Sequence, residues 1–254
     1  MIEAMLFDLD GTLVQTERLK AISYARAAVE LCPDDISREQ VLEAFKDVVG
    51  KSRREVAMAL VERFGLAPAA RKRMGEFGVD SVWQAYVQVR LRYYQELIGD
   101  PQTLRDNQWP HNRQLLEEAR RSGCKTALAT MSRCEQANRV LDALGLGDQF
   151  DFVATRDDVE NGKPHPEIYL LLAEELGIRP SRCLVVEDSP AGVQAALDAG
   201  MNVVAVSTPF TRRRLHEAAL LPLDRIVDEP QTLPALIAQI VEQHKKIETK
   251  DREI

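Results

Sequence analysis

The feature that most restricts how this chain can fold is a set of short, unbroken apolar runs, each followed at once by polar residues. Met5-Leu6-Phe7 runs into Asp8 and Asp10, Thr126-Ala127-Leu128-Ala129 into Thr130, and Cys183-Leu184-Val185-Val186 into Glu187-Asp188. Alternating apolar and polar residues mark a strand with one wet face. Continuous apolar runs mark strands covered on both faces, as in a parallel sheet flanked by helices. Phe152-Val153-Ala154 and Asn202-Val203-Val204-Ala205-Val206 follow the same pattern, and Ile226-Val227 fits a short edge strand. Helical periodicity lies between them, at Gln114 to Arg121, Cys134 to Leu144, Glu167 to Leu176 and Ala191 to Ala199. The alternation predicts an α/β fold, a doubly wound, Rossmann-like parallel sheet. Ligands bind beyond the carboxyl ends of the strands in such sheets. The polar residues after the three runs are therefore expected to meet at one edge.

The alternation breaks once. Residues 15–108 carry helix signals and no convincing strand, so a helical domain is expected there, inserted into a core made of residues 1–14 and 109–254. Leu19, Ile22, Ala25, Ala28 and Val29 make one apolar face; Val82, Tyr86, Val89, Tyr93 and Leu97 make another. Gly75 and Gly78 are expected to break the run before the second of these, and Leu13-Val14 and Gly99-Asp100-Pro101 to act as hinges. Leu233, Leu236, Ile237, Ile240 and Val241 fit an amphipathic helix on the core, followed by a charged tail from Lys245 to Ile254. Arg212-Arg213-Arg214 could touch a phosphate, but reads better as a solvated helix start.

Composition narrows the partners. The 254 residues are 45% apolar and 29% charged, with a net charge of -7, which argues against nucleic acid or an anionic membrane as partner. No apolar run approaches the length of a membrane span, and the N-terminus lacks the pattern of a secretory signal. Cys32, Cys124, Cys134 and Cys183 show no zinc-ligand spacing. Scattered reduced thiols and a cytoplasmic location are expected.

Carboxylates gathered at one sheet edge repel one another, so one must be protonated or a cation must sit among them. Oxygen donors without His or Cys suit Mg²⁺, which shares its shell with substrate phosphates. Asp8 and Asp10 are two apart, which in extended chain puts both side chains on one face. Gly11 then permits a tight turn and close approach of the backbone. A calcium loop is set aside, because Thr12-Leu13-Val14 offers no further oxygen ligands at the required spacing.

These residues resemble the motifs of the haloacid dehalogenase superfamily. Phe7-Asp8-Leu9-Asp10-Gly11-Thr12-Leu13 is similar to its first motif and Thr130 in Ala-Leu-Ala-Thr-Met-Ser to its second. Lys163 in Gly-Lys-Pro-His-Pro is similar to the third, and Glu187-Asp188-Ser189-Pro190-Ala191-Gly192 to the fourth. The resemblance implies that Asp8 is a nucleophile that takes up phosphoryl as an aspartyl-phosphate, and that Asp10 is the general acid and base. It implies a Mg²⁺ site from Asp8, the Asp10 backbone carbonyl, Glu187 and Asp188. It also implies that Thr130 and the Met131 backbone N–H hold phosphoryl oxygens whose charge Lys163 balances. Dehalogenases and phosphonate-cleaving members lack the second aspartate, so Asp10 points to a phosphate ester. The helical insert corresponds to the family's cap, which closes over a small molecule and excludes water.

Within the superfamily, the pattern is similar to β-phosphoglucomutases and small sugar-phosphate phosphatases. The first motif continues as Val14-Gln15-Thr16-Glu17 where Val-Asp-Ser-Glu is usual, and Lys20 stands where the mutase has histidine. A phosphatase acting on a small phosphorylated metabolite is therefore the leading expectation, with a mutase as the alternative. A sugar-phosphate binder without activity is disfavoured, since it has no need of Asp10. A receiver-like signalling domain is disfavoured by the inserted lobe. In Gly50-Lys51-Ser52-Arg53, Arg53 corresponds to the cap arginine over the substrate's distal end; Lys20 and Arg18 are further substrate candidates. The oligomeric state is left open, a monomer being compatible.

Overall fold

The computed structural model describes residues 1–252, with side chains to Lys245; the rest of the charged tail lies outside the described residues. The chain divides into two compact units, Met1–Gln15 with Arg105–Ile254, and Thr16–Leu104. The helices in chain order are α1 (Thr16–Leu31), α2 (Arg38–Phe45), α3 (Arg53–Arg63), α4 (Ala67–Phe77), α5 (Val82–Gly99), α6 (Pro101–Asp106), α7 (Pro110–Arg121), α8 (Cys134–Leu144), α9 (Glu167–Leu176), α10 (Pro190–Asp198), α11 (Arg212–Ala218) and α12 (Leu233–Arg252).

The first unit holds a six-stranded parallel sheet. Its strands are β1 (Ala4–Phe7), β2 (Lys125–Ala129), β3 (Phe152–Ala154), β4 (Cys183–Glu187), β5 (Asn202–Val206) and β6 (Ile226–Val227). The spatial order is β3-β2-β1-β4-β5-β6. Connections run outward from β1 in one direction as far as β3, then return to β4 on its other side. The switch point, where such sheets bind ligands, therefore lies between β1 and β4. Phe7 pairs with Leu128 on one side and Val186 on the other. This register makes Asp8 level with Ala129 and Glu187 at the carboxyl edge. Leu6 and Phe7 are fully buried, each contributing about 1.5–3 kcal/mol relative to exposure. The start of the polar segment is thereby fixed to the centre of the sheet.

The C-terminal helix buries Leu233, Ile237 and Ile240, while Leu236 and Val241 are half-buried. Arg212 and Arg213 pair with Asp228 and Glu217. The four cysteines are unpaired. Among the described residues, no helix is long and apolar enough to cross a membrane.

In the second unit α5 packs on α1, α3 and α4. Tyr86 donates a buried hydrogen bond of 2.9 Å to the Tyr24 carbonyl, and the Tyr24 ring lies 5.6 Å from those of Phe45 and Tyr86. Capping boxes start α2 (Ser37 with Gln40) and α3 (Ser52 with Glu55). Gly78 ends α4 in the left-handed conformation, but Gly75 lies inside that helix and does not break it. A helix tolerates an internal glycine at a cost of about 1 kcal/mol against alanine. The apolar face expected on α1 holds at Leu19, Ala25 and Ala28 and extends to Ala21, Tyr24 and Ala27, whereas Ile22 and Val29 are half-exposed. Tyr93 is half-exposed because its hydroxyl reaches out to Glu30, at 2.7 Å.

Candidate active site

The carboxyl edge of the first unit gathers Asp8, Asp10, Thr130, Lys163, Glu187 and Asp188. Asp8, the residue after β1, is 6% exposed, and its N–H donates to the Val186 carbonyl at 3.1 Å. Behind it the chain turns sharply, with the Leu13 and Val14 N–H groups both donating to the Leu9 carbonyl. Gly11 makes this turn possible at φ 98°, and a β-carbon there would fall on the Asp188 carboxylate. The glycine therefore serves both conformation and close approach.

Lys163 ties the cluster together. Its ammonium, with the side chain 5% exposed, donates to Asp8 Oδ1 at 2.8 Å, the Ala129 carbonyl at 2.9 Å and Glu187 Oε1 at 2.5 Å. Asp8 Oδ2 is buried and has no hydrogen-bond partner. One oxygen of Asp8 is thus anchored and the other left open. Burial pushes the Asp8 carboxyl up to about 7, against the pull of Lys163. Burial alone would lower the Lys163 pKa, but Asp8 and Glu187 hold it well above its ordinary range.

Asp8, Glu187 and Asp188, all buried, offer carboxylate oxygens within 4.8 Å of one another. Three acids then face one ammonium, leaving the cluster short of positive charge. An all-oxygen donor set short of positive charge fits a hard divalent cation. Glu187 is fastened most completely. Its Oε2 accepts from the Asp188 and Ser189 N–H groups at 3.0 and 3.3 Å and from Ser189 Oγ at 3.2 Å; its Oε1 accepts from Lys163 and from Tyr169 Oη at 2.8 Å. Ser189 also caps α10 through the Gly192 N–H at 3.1 Å. A β-carbon on Gly192 would fall on the Glu187 carboxylate.

The Asp10 carboxylate is engaged elsewhere, accepting from Ser132 Oγ at 2.7 Å and Thr130 Oγ1 at 3.3 Å. Thr130 Oγ1 accepts in turn from the Ser132 N–H at 3.0 Å. Thr130 is fully buried, and Met131, the next residue, is half-buried. The Met131 sulfur packs over Gly162, where a β-carbon would meet it at 3.0 Å.

The remaining candidates belong to the helical unit. Arg53 is exposed at the first position of α3, and Lys20 pairs with Glu17 at 2.7 Å on α1. Arg90 was not foreseen. It is 5% exposed, with its guanidinium 4.9 Å from the Tyr24 ring and 4.3 Å from the Tyr94 ring. Among the described residues no carboxylate pairs with it, and its Nε has no partner. Ser132 and Tyr169 were missed as well: a serine in a turn and a tyrosine in an apolar helix stripe carry no chemical signal of their own. Arg90 did carry one, a charge set beside the apolar positions Tyr86 and Val89.

Comparison with known proteins identifies the family. The model of the haloacid dehalogenase-like hydrolases matches residues 2–200. A phosphorylated carbohydrates phosphatase of Thermotoga maritima is 32% identical over 203 residues, covering 79% of this chain and 82% of its own. A phosphoglycolate phosphatase of Shigella boydii is 35% identical over 217 residues, 81% of each chain. Two solved structures share the fold. One is a hydrolase of the same family from Deinococcus radiodurans with bound phosphate and sodium (TM-score 0.71, 23% identity, 94% of this chain and 96% of the other). The other is a β-phosphoglucomutase of Clostridium difficile (TM-score 0.60, 24% identity, 95% and 99%). The chain belongs to the haloacid dehalogenase-like hydrolases and is a phosphatase of that family.

Proposed function

We propose that this protein is a Mg²⁺-dependent phosphatase that hydrolyses a small phosphorylated metabolite, a sugar phosphate, through an aspartyl-phosphate on Asp8. The observation that carries this reading is the state of the Asp8 carboxylate: buried, with Oδ1 held by Lys163 and Oδ2 open. A carboxylate so held presents one oxygen in a fixed direction, as in-line attack on phosphorus requires.

Asp8, Glu187 and Asp188 would hold the metal through carboxylates, with the Asp10 backbone carbonyl as a further donor. When bound, the cation offsets negative charge on Asp8 and on phosphoryl oxygens, so that one anion can approach another. Thr130 and the Met131 N–H hold the transferred group, and Lys163 balances its charge. Asp10, oriented by Ser132 and Thr130, gives a proton to the departing alcohol oxygen. It then takes a proton from the water that attacks phosphorus and frees Asp8. In the helical unit, Arg53 and Lys20 are assigned to the distal part of the substrate. A sugar phosphate fits the relatives' activities, since one acts on phosphorylated carbohydrates.

The experiment is phosphate release from a panel of sugar phosphates. Turnover is expected to need Mg²⁺, to stop with chelator and to vanish in Asp8→Asn. Near-normal turnover by Asp8→Asn would refute the covalent route. The mutase alternative is tested with β-glucose 1-phosphate and a bisphosphate primer. Glucose 6-phosphate accumulating faster than free phosphate would reverse the ranking.

A further inference from the structure

Tyr169 lies under the cluster but has no part in the chemistry assigned above. It is fully buried on α9, its hydroxyl donates to Glu187 Oε1 at 2.8 Å, and its ring centroid is 5.1 Å from Lys163 Nζ. That distance is within the range at which an aromatic face attracts an ammonium. Tyr169 therefore touches both members of the Lys163–Glu187 pair, one through each end of its side chain.

We propose that Tyr169 is a positioning residue that keeps Lys163 shared between Asp8 and Glu187. The competition is visible in the distances: the ammonium is 2.5 Å from Glu187 Oε1 and 2.8 Å from Asp8 Oδ1. Lys163 has three protons, each already directed at an acceptor. Glu187 Oε2 takes its donors from the turn that follows β4, so the hydrogen bonds from outside that turn are those on Oε1. The Tyr169 hydroxyl takes up part of the negative charge of Oε1. Without it, Lys163 is the sole donor to that oxygen and is drawn away from Asp8. Asp8 Oδ1 then loses its anchor and Oδ2 its fixed direction. Misplacement of a reacting group by about 1 Å costs on the order of a hundredfold in rate, so a smaller drift has a measurable cost.

This inference rests on the phosphatase reading, and a double-mutant cycle on phosphate release separates the two. Tyr169→Phe keeps the ring and removes the hydroxyl. It is expected to lower kcat about tenfold, the scale of one hydrogen bond to a charged acceptor, and to leave KM within about twofold because the substrate is not touched. In a Glu187→Gln background the same change is expected to alter kcat by less than about twofold, since Tyr169 acts through Glu187. Tyr86→Phe, which removes an equally buried hydroxyl from the helical unit, controls for stability and should leave kcat unchanged. Two results would overturn the inference: full kcat in Tyr169→Phe with only a lower melting temperature, or costs that multiply independently of Glu187. Should Tyr169→Phe not fold, the double variant, in which the carboxylate that Tyr169 serves is gone, decides. Activity equal to Glu187→Gln supports the proposal; lower activity overturns it. Loss of activity in Asp8→Asn together with a neutral Tyr169→Phe would remove this inference and leave the phosphatase reading intact.

Discussion

Replacing Gly11 with alanine is a small change with two effects that can be worked out from the structure. The residue sits at φ 98°, where an L side chain is strained. A residue with a β-carbon costs roughly 1–2 kcal/mol in such a conformation. In a chain of this size that lowers the melting temperature by about 2–8 °C. The second effect is local to the site. The new β-carbon would fall on the Asp188 carboxylate, which is 3% exposed and has no room to move without leaving its place beside Asp8 and Glu187. Displacing a group that orients a metal site costs roughly 10- to 100-fold in affinity or activity. Gly11→Ala is therefore expected to raise the Mg²⁺ concentration for half-maximal phosphate release at least about tenfold, beyond any loss of folded protein. The assay is a Mg²⁺ titration of phosphate release paired with a thermal melt of the same preparation. A lower melting temperature with unchanged Mg²⁺ half-saturation would take Asp188 out of the metal site, because it would then have moved without consequence for the metal.

Asp10→Asn should slow phosphate release from sugar phosphates by about 10²–10⁴-fold, but the first-turnover burst of nitrophenolate from p-nitrophenyl phosphate much less, because nitrophenolate leaves without a proton; a burst slowed as much as the sugar-phosphate reaction would remove the acid role. Arg53→Ala is expected to raise KM for a substrate with a charged distal group about tenfold at constant kcat, and an unchanged KM would take Arg53 out of the site. Glu30 gives a pH-dependent stability test. Burial raises its pKa, but hydrogen bonds from Arg73 and Tyr93 and the charge of Arg92 outweigh this, leaving a net depression. A depressed carboxylate stabilises the fold above its unfolded pKa of roughly 4.3, and that contribution is lost as pH falls through the lower folded value. Glu30→Gln should therefore melt below the parent at pH ~7, with the gap closing below pH ~4; a gap independent of pH would contradict the assignment.

The sheet was legible because burial on both faces leaves an unmistakable run of apolar residues, and the edge residues were legible because a carboxylate directly after such a run has few structural uses. The helical unit was harder. Its apolar faces were located by spacing, yet Tyr24 and Tyr93 are amphipathic: one turns its ring inward and the other carries its hydroxyl out to Glu30. Gly75 looked like a breaker because a glycine inside a helix and one that ends it are alike in sequence. The supporting contacts were hidden for another reason. Ser132 meets Asp10 and Tyr169 meets Glu187 only after distant segments have come together, through single atoms that no local pattern predicts.

The covalent route stands or falls on where the phosphoryl group goes. The direct measurement is to mix Asp10→Asn with p-nitrophenyl phosphate and Mg²⁺, quench with acid within the first turnover and map the adduct by peptide mass spectrometry. A hydroxylamine-labile phosphoryl group on Asp8, absent from Asp8→Asn, is the predicted result. Turnover with no adduct, or with the phosphoryl group on any other residue, would contradict it.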